Sequence, residues 1–124
     1  MLRVLSTIAF ALALAAPAAH AAGDAAAGKK KFTETLPCWT CHGKEGKGDG
    51  PAGAALNPPP RDFTKGEFKF DANKDGKPGE DADLVLVIKN APVAYGGNPA
   101  MPPFNYLSDQ DIADLIAYIR TLKK

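Results

Sequence analysis

Apolar residues recur most regularly near the end of the chain. Ile112, Leu115, Ile116, Ile119 and Leu122 follow the three- and four-residue steps of one helical face, with Tyr118 beside them. Ser108 can cap that helix, and Asp111 three residues later completes a capping-box pattern. Leu107 and Ile112 occupy the two positions of a hydrophobic staple, and Arg120, Lys123 and Lys124 place positive charge at the negative end of the helix dipole. A second helix is predicted over residues 81–90, where Leu84, Val85, Val87 and Ile88 supply the apolar face. A third starts from Asp24 as N-cap, runs through Gly28 to Phe32, and is stopped by Pro37.

Between these segments the pattern breaks down. Residues 43–60 are punctuated by Gly43, Gly46, Gly48, Gly50, Pro51 and Gly53, and Pro58-Pro59-Pro60 then forbids helix. Residues 61–70 have room for a turn or two, 71–81 form a polar excursion, and 91–104 are again rich in Gly and Pro. No stretch alternates with the period of a sheet, and no segment repeats. The expected class is all-α, with short helices joined by long loops. Such loops are unusual in so small a domain. They become reasonable if they wrap a flat, rigid, apolar body such as a macrocycle.

The first residues read as a leader. Met1-Leu2-Arg3 is a short positive start, Val4–Ala16 is an apolar run broken only by Ser6 and Thr7, and Ala19-His20-Ala21 has the small-x-small form of a signal-peptidase site. The run is short for a bilayer span, which takes about 20 apolar residues. The expectation is a signal peptide over residues 1–21, export to the periplasm, and one domain over residues 22–124 with no stable membrane insertion after cleavage. An uncleaved anchor is the alternative. The 15 Lys+Arg against 14 Asp+Glu leave no basic excess of the kind a nucleic-acid binder carries.

Two cysteines, Cys38 and Cys41, are the only ones in the chain. A disulfide between them would close a tiny loop and stabilise little, because the loop-closure contribution grows with loop length. Cys38-Trp39-Thr40-Cys41-His42 instead has the C-x-x-C-H spacing of covalent haem attachment: two thiols reach two vinyl groups, and the adjacent imidazole can bind the iron. A structural zinc site would need about four N/S ligands, and once the leader with His20 is removed only two Cys and one His remain. A thioredoxin-like pair expects a strand–helix setting, which the pattern lacks.

With His20 and Met1 in the leader, His42 is the one histidine and Met101 the one methionine of the remaining chain. Met101 lies in Asn98-Pro99-Ala100-Met101-Pro102-Pro103-Phe104, where prolines stiffen the backbone around it. As a sixth iron ligand its thioether would raise the reduction potential. Two other outcomes stay open: Met101 as a core gap-filler, and a five-coordinate iron able to bind small gases.

These residues resemble the small class I c-type cytochromes over nearly the whole segment 22–124. The likeness rests on Gly28 and Phe32, on Cys38 to His42, on the glycine loop ending in Gly50-Pro51, on the Met101 loop, and on Ser108 to Asp111 with Leu115 to Arg120. The resemblance implies a cytochrome c fold with the first and last helices crossing at Gly28. It also implies one haem c attached through Cys38 and Cys41, with His42 and Met101 as metal ligands. In the family a proline carbonyl orients the haem-binding histidine, and Pro51 is the best match. Arg61 and Tyr95 are candidates to bind a haem propionate, with an ordinary surface charge and a core tyrosine as the plainer readings. Trp39 is expected near the exposed haem edge.

Two further features are weighed and set aside. Asp71-Ala72-Asn73-Lys74-Asp75-Gly76 opens like a calcium loop, but the twelfth position, where a bidentate Glu belongs, is Ala82. Lys29-Lys30-Lys31 could meet an acidic partner, although a lysine-rich helix face is usually just solvated. The functional expectation is a mono-haem electron carrier without catalysis of its own, exchanging electrons with redox proteins such as a membrane oxidase or a periplasmic dehydrogenase. A cytochrome subunit of a larger oxidoreductase is one rival, and a five-coordinate haem sensor is another.

Overall fold

The computed structural model describes residues 22–124, so the expected leader lies outside the described residues. Four α-helices carry the fold: α1 (Ala25–Lys30), α2 (Cys38–His42), α3 (Asp81–Asn90) and α4 (Asp109–Thr121). Short 3₁₀ turns at Phe63–Lys65 and Pro92–Tyr95 interrupt the loops, and there is no strand among the described residues. The all-helical expectation holds.

The predicted caps form. Asp24 accepts from the backbone N–H groups of Ala26 and Ala27 at the start of α1. Ser108 and Asp111 bond reciprocally at the start of α4, each satisfying a donor that helix geometry leaves unpaired. A second capping box, Glu80 with Asp83, opens α3.

The first helix departs from a plain α-helix at its end. Residues Lys31–Thr35 form one wide π turn, closed by Leu36 N–H donating to the Lys31 carbonyl at 2.8 Å. Pro37 then holds Leu36 in an extended conformation, as the residue before a proline prefers. The turn delivers Phe32 into the core, where it is 1 % exposed.

The core lies where α1 crosses α4. Phe32, Ile112, Leu115, Ile116, Tyr118 and Ile119 pack there with Leu84 and Ile88 from α3. Phe32 meets Tyr118 edge-on at a 5.4 Å ring separation, an arrangement aromatic pairs favour. Gly28 faces α4 so closely that a Cβ there would collide with the Asp114 carbonyl and come within 2.9 Å of Tyr118 Cβ. Only glycine admits this crossing.

Asp114 ties the two helices together from a buried position. It accepts from the Asp24 backbone N–H at 2.8 Å, from Lys31 Nζ at 3.0 Å and from Gln110 Nε2 at 2.8 Å. The Asp24 N–H, burial working against it, and the Gln110 and Lys31 donors together hold its carboxyl below the usual range. Asp83, 1 % exposed, does the same for the polar excursion. Burial alone would neutralise it, but backbone N–H groups of Asn73, Glu80, Ala72 and Gly79 outweigh that and lower its pKa.

A candidate haem site

The attachment segment is a single helical turn, α2, and its shape depends on the glycine loop that follows. A helix leaves its last four carbonyls without partners. Here the loop folds back and supplies all four donors. Gly43 N–H bonds the Trp39 carbonyl (2.9 Å), Ala52 N–H that of Thr40 (2.8 Å), Gly50 N–H that of Cys41 (3.0 Å), and Gly48 N–H that of His42 (2.8 Å). The approach is too close for side chains. A Cβ at Gly50 would lie 2.6 Å from the Trp39 carbonyl oxygen and would collide with that of Thr40. The glycine-rich stretch thus locks the turn that presents Cys38, Cys41 and His42.

Those three residues line a cavity of about 690 Å³, together with Arg61, Phe63 and Met101. Such a volume lies within the ~300–1,000 Å³ typical of cofactor sites. The wall is largely apolar: Leu56, Pro59, Phe68, Leu84, Val87, Ile88 and Phe104 also border it. Cys38 and Cys41 are half-buried free thiols. Burial pushes the Cys38 thiol up to about 11, its own backbone N–H working weakly in the other direction.

The imidazole of His42 is held on two sides. Its Nδ1 lies 3.2 Å from the Arg61 carbonyl, which can only accept, so Nδ1 carries the proton and Nε2 is left with its lone pair. Phe63 stacks on the ring at 4.5 Å with a 17° tilt, and Phe32 closes in at 6.4 Å. Burial lowers the His42 pKa, partly offset by the Arg61 carbonyl, and this favours the neutral ring that a metal requires.

Two expectations for supporting residues are corrected. The carbonyl that orients His42 belongs to Arg61, not Pro51. Pro51 is exposed and borders a separate hollow of about 340 Å³ with Trp39 and Lys44. The reason is the course of the chain: residues 43–53 are spent on the carbonyls of α2, and Phe63 N–H then docks on the Gly46 carbonyl, which brings Arg61 beside the ring. Tyr95 is not part of the cavity wall. It is half-buried, with its hydroxyl accepting from Asn90 Nδ2 at 2.9 Å and its ring 6.5 Å from Phe70. Arg61 does border the cavity and is half-buried.

Phe63 escaped the sequence reading, although Pro58-Pro59-Pro60-Arg61-Asp62-Phe63 carried a signal: a stiff proline run aiming an aromatic back at the core. The Asp71–Gly76 segment turns out to be a turn whose carboxylates cap its own backbone and which Asp83 ties to α3. Asp71 accepts the backbone N–H groups of Asp75 and Gly76, and Asp75 that of Lys77. No cluster of three or more metal-binding side chains exists among the described residues. No helix among them is long and apolar enough to cross a membrane.

Two free thiols, an imidazole with Nε2 unprotonated and a thioether, all on one apolar cavity in an all-helical frame, fit a c-type haem site. Comparison with known proteins agrees: the family model described as Cytochrome c matches residues 25–123, and the chain belongs to the cytochrome c family. Members of this family hold haem c covalently through cysteines, and Cys38 and Cys41 supply that pair here, for one haem c. Among solved structures, a chain of the reducing HAO-like protein complex of Kuenenia stuttgartiensis is similar at 32 % identity with a TM-score of 0.63. The match covers 96 % of this chain but 50 % of that one, so the present chain spans half the length of its structural relative. No curated protein sequence matches it.

Proposed function

We propose that this electron-transferring cytochrome is a periplasmic one-electron carrier whose iron is held by His42 Nε2 and the Met101 sulfur. When bound, haem c supplies a single Fe(II)/Fe(III) couple. The rest is the work of the chain's own residues. Cys38 and Cys41 anchor the group at the mouth of the cavity. The Arg61 carbonyl and the Phe63 ring fix His42 in rotation and tautomer, and the stiff Pro-rich loop presents Met101 from another segment of the wall. Arg61, at the border of the cavity, would receive a propionate. With His42 and Met101 both holding the iron, the chain would need little rearrangement of its own side chains when the oxidation state changes. The periplasmic location rests on the leader pattern over residues 1–21.

The observation that carries this reading is the clamped imidazole facing the same cavity as Met101. Optical spectra of the purified, haem-loaded protein test it. Low-spin bands in both states, with a weak sulfur-to-iron band in the oxidised form that disappears in Met101→Ala, are the expected result. High-spin spectra without that band would remove Met101 from the iron.

A second reading draws support from the structural relative, which is a chain of a protein complex and twice as long. In it the present chain works as the cytochrome part of a larger redox assembly. Copurification of a stoichiometric partner from the native source would favour this reading, and a monomeric carrier would favour the first.

A further inference from the structure

Asn98 stands three residues before Met101 and uses both ends of its side-chain amide. Its Oδ1 accepts the Ala100 backbone N–H at 2.8 Å, which shapes the turn leading into Met101. Its Nδ2 donates to the Pro58 carbonyl at 3.1 Å, across forty positions of sequence. Pro58 lies three residues before Arg61, whose carbonyl holds His42. One amide therefore joins the segment that presents the thioether to the segment that orients the imidazole.

The other attachments of the Met101 loop do not make this link. Gly97 N–H bonds the Pro92 carbonyl at 2.8 Å and stays on its own side of the cavity. On the far side of Met101, Phe104 N–H bonds the Ile88 carbonyl at 2.9 Å and fastens the loop to α3. Met101 is thus suspended between two anchors, Asn98 and Phe104. Pro99, Pro102 and Pro103 stiffen the span, so a shift at either anchor is passed on to the side chain instead of being absorbed in the backbone. The Phe104 anchor is buried, whereas the Asn98 anchor is exposed. The exposed end is the one that opens more readily.

We propose that Asn98 is a positioning residue, a latch between the Met101 loop and the Pro58–Arg61 segment that sets how easily an outside ligand displaces the Met101 sulfur. This rests on the reading of Met101 as the axial ligand. The latch acts by holding the loop closed, so its effect falls on ligand exchange rather than on attachment of the cofactor. Ligands of the nitrogen-donor class, which prefer ferric iron to a thioether, would take the vacated position.

The test is the rate at which imidazole replaces the Met101 sulfur in the ferric, haem-loaded protein, followed by loss of the sulfur-to-iron band. A single exposed hydrogen bond contributes a modest factor, so Asn98→Ala should accelerate exchange about two- to tenfold. Asn98→Asp, which sets a carboxylate against the Pro58 carbonyl, should accelerate it at least as much. Asn90→Ala removes a comparable exposed amide contact that does not bridge the two segments, and should leave the rate unchanged. Unchanged exchange in both Asn98 variants, with the band present in the unmodified protein, overturns the latch and leaves Met101 as ligand. Equal acceleration in Asn90→Ala also overturns the latch. An unmodified protein that lacks the band overturns both readings together.

Discussion

The α1–α4 crossing and the two loops around the cavity are held in opposite ways. At the crossing, Phe32 and Ile112 are almost wholly shielded, Gly28 lets the backbones touch, and the buried Asp114 carboxylate has three donors. Among the described residues no buried side-chain nitrogen or oxygen lacks a partner. Across the cavity mouth the loops 43–60 and 91–104 are mostly exposed, and the side-chain amide of Asn98 joins them. The helical pair is held by packing and hydrogen bonds of its own. The loops border a large apolar cavity, and filling it with a macrocycle is what removes that surface from water. Fold and cofactor thus divide the labour: helices make the frame, and the haem organises the loops.

That division can be broken from the helical side. The largest effect is expected for Phe32→Ala, which should cost about 3–5 kcal/mol, the usual range for a buried Phe→Ala change. Denaturant unfolding of the haem-loaded protein measures it. An equally large loss in the loop variant Pro51→Ala, at an exposed position outside the cavity, would contradict the comparison. Asp114→Ala comes next, at about 2 kcal/mol, because it leaves the Asp24 N–H and the Gln110 amide without their acceptor, while Lys31 keeps only Asp111 at 3.4 Å. The same denaturation curve reads it, and the sulfur-to-iron band should survive, since the change is remote from Met101.

Acid sharpens the same contrast. The pKa values of Asp83 and Asp114 are both lowered in the folded state. Their stabilising contribution is fully present above the ordinary aspartate value near 4 and is lost as pH falls through the lower folded values. Helix content followed by circular dichroism should therefore hold from neutrality down to about pH 4 and fall below it. The smallest effect is expected for Ser108→Ala, which removes one α4 cap and should lower stability by about 1 kcal/mol, within the ordinary range for N-caps.

Helices and attachment chemistry were legible along the chain because their determinants are local. Ser108 and Asp111 lie three residues apart, Asp24 touches residues two and three positions on, and Cys38, Cys41 and His42 need only their mutual spacing. Gly28 was legible as a helix-crossing glycine through resemblance to the family, whereas its clash partner, the Asp114 carbonyl, came only with the packing. The loop partners were hidden for a different reason. Any backbone carbonyl looks the same in sequence, so nothing labels the Arg61 carbonyl rather than that of Pro51 as the acceptor for His42.

What the sequence by itself determined is therefore the class of chemistry: a covalent haem through Cys38 and Cys41, a histidine beside them, the one methionine of residues 22–124 on a stiff loop, and three helices with the caps of the first and last. Tertiary structure alone decided what surrounds that chemistry. The path of the glycine loop over α2 used up residues 43–53, and this brought Arg61 and Phe63 against His42 and left Pro51 outside. It likewise drew Asn98 to Pro58. Side-chain type and short spacing are written in sequence, whereas a meeting between distant backbone groups depends on how the whole chain closes on itself.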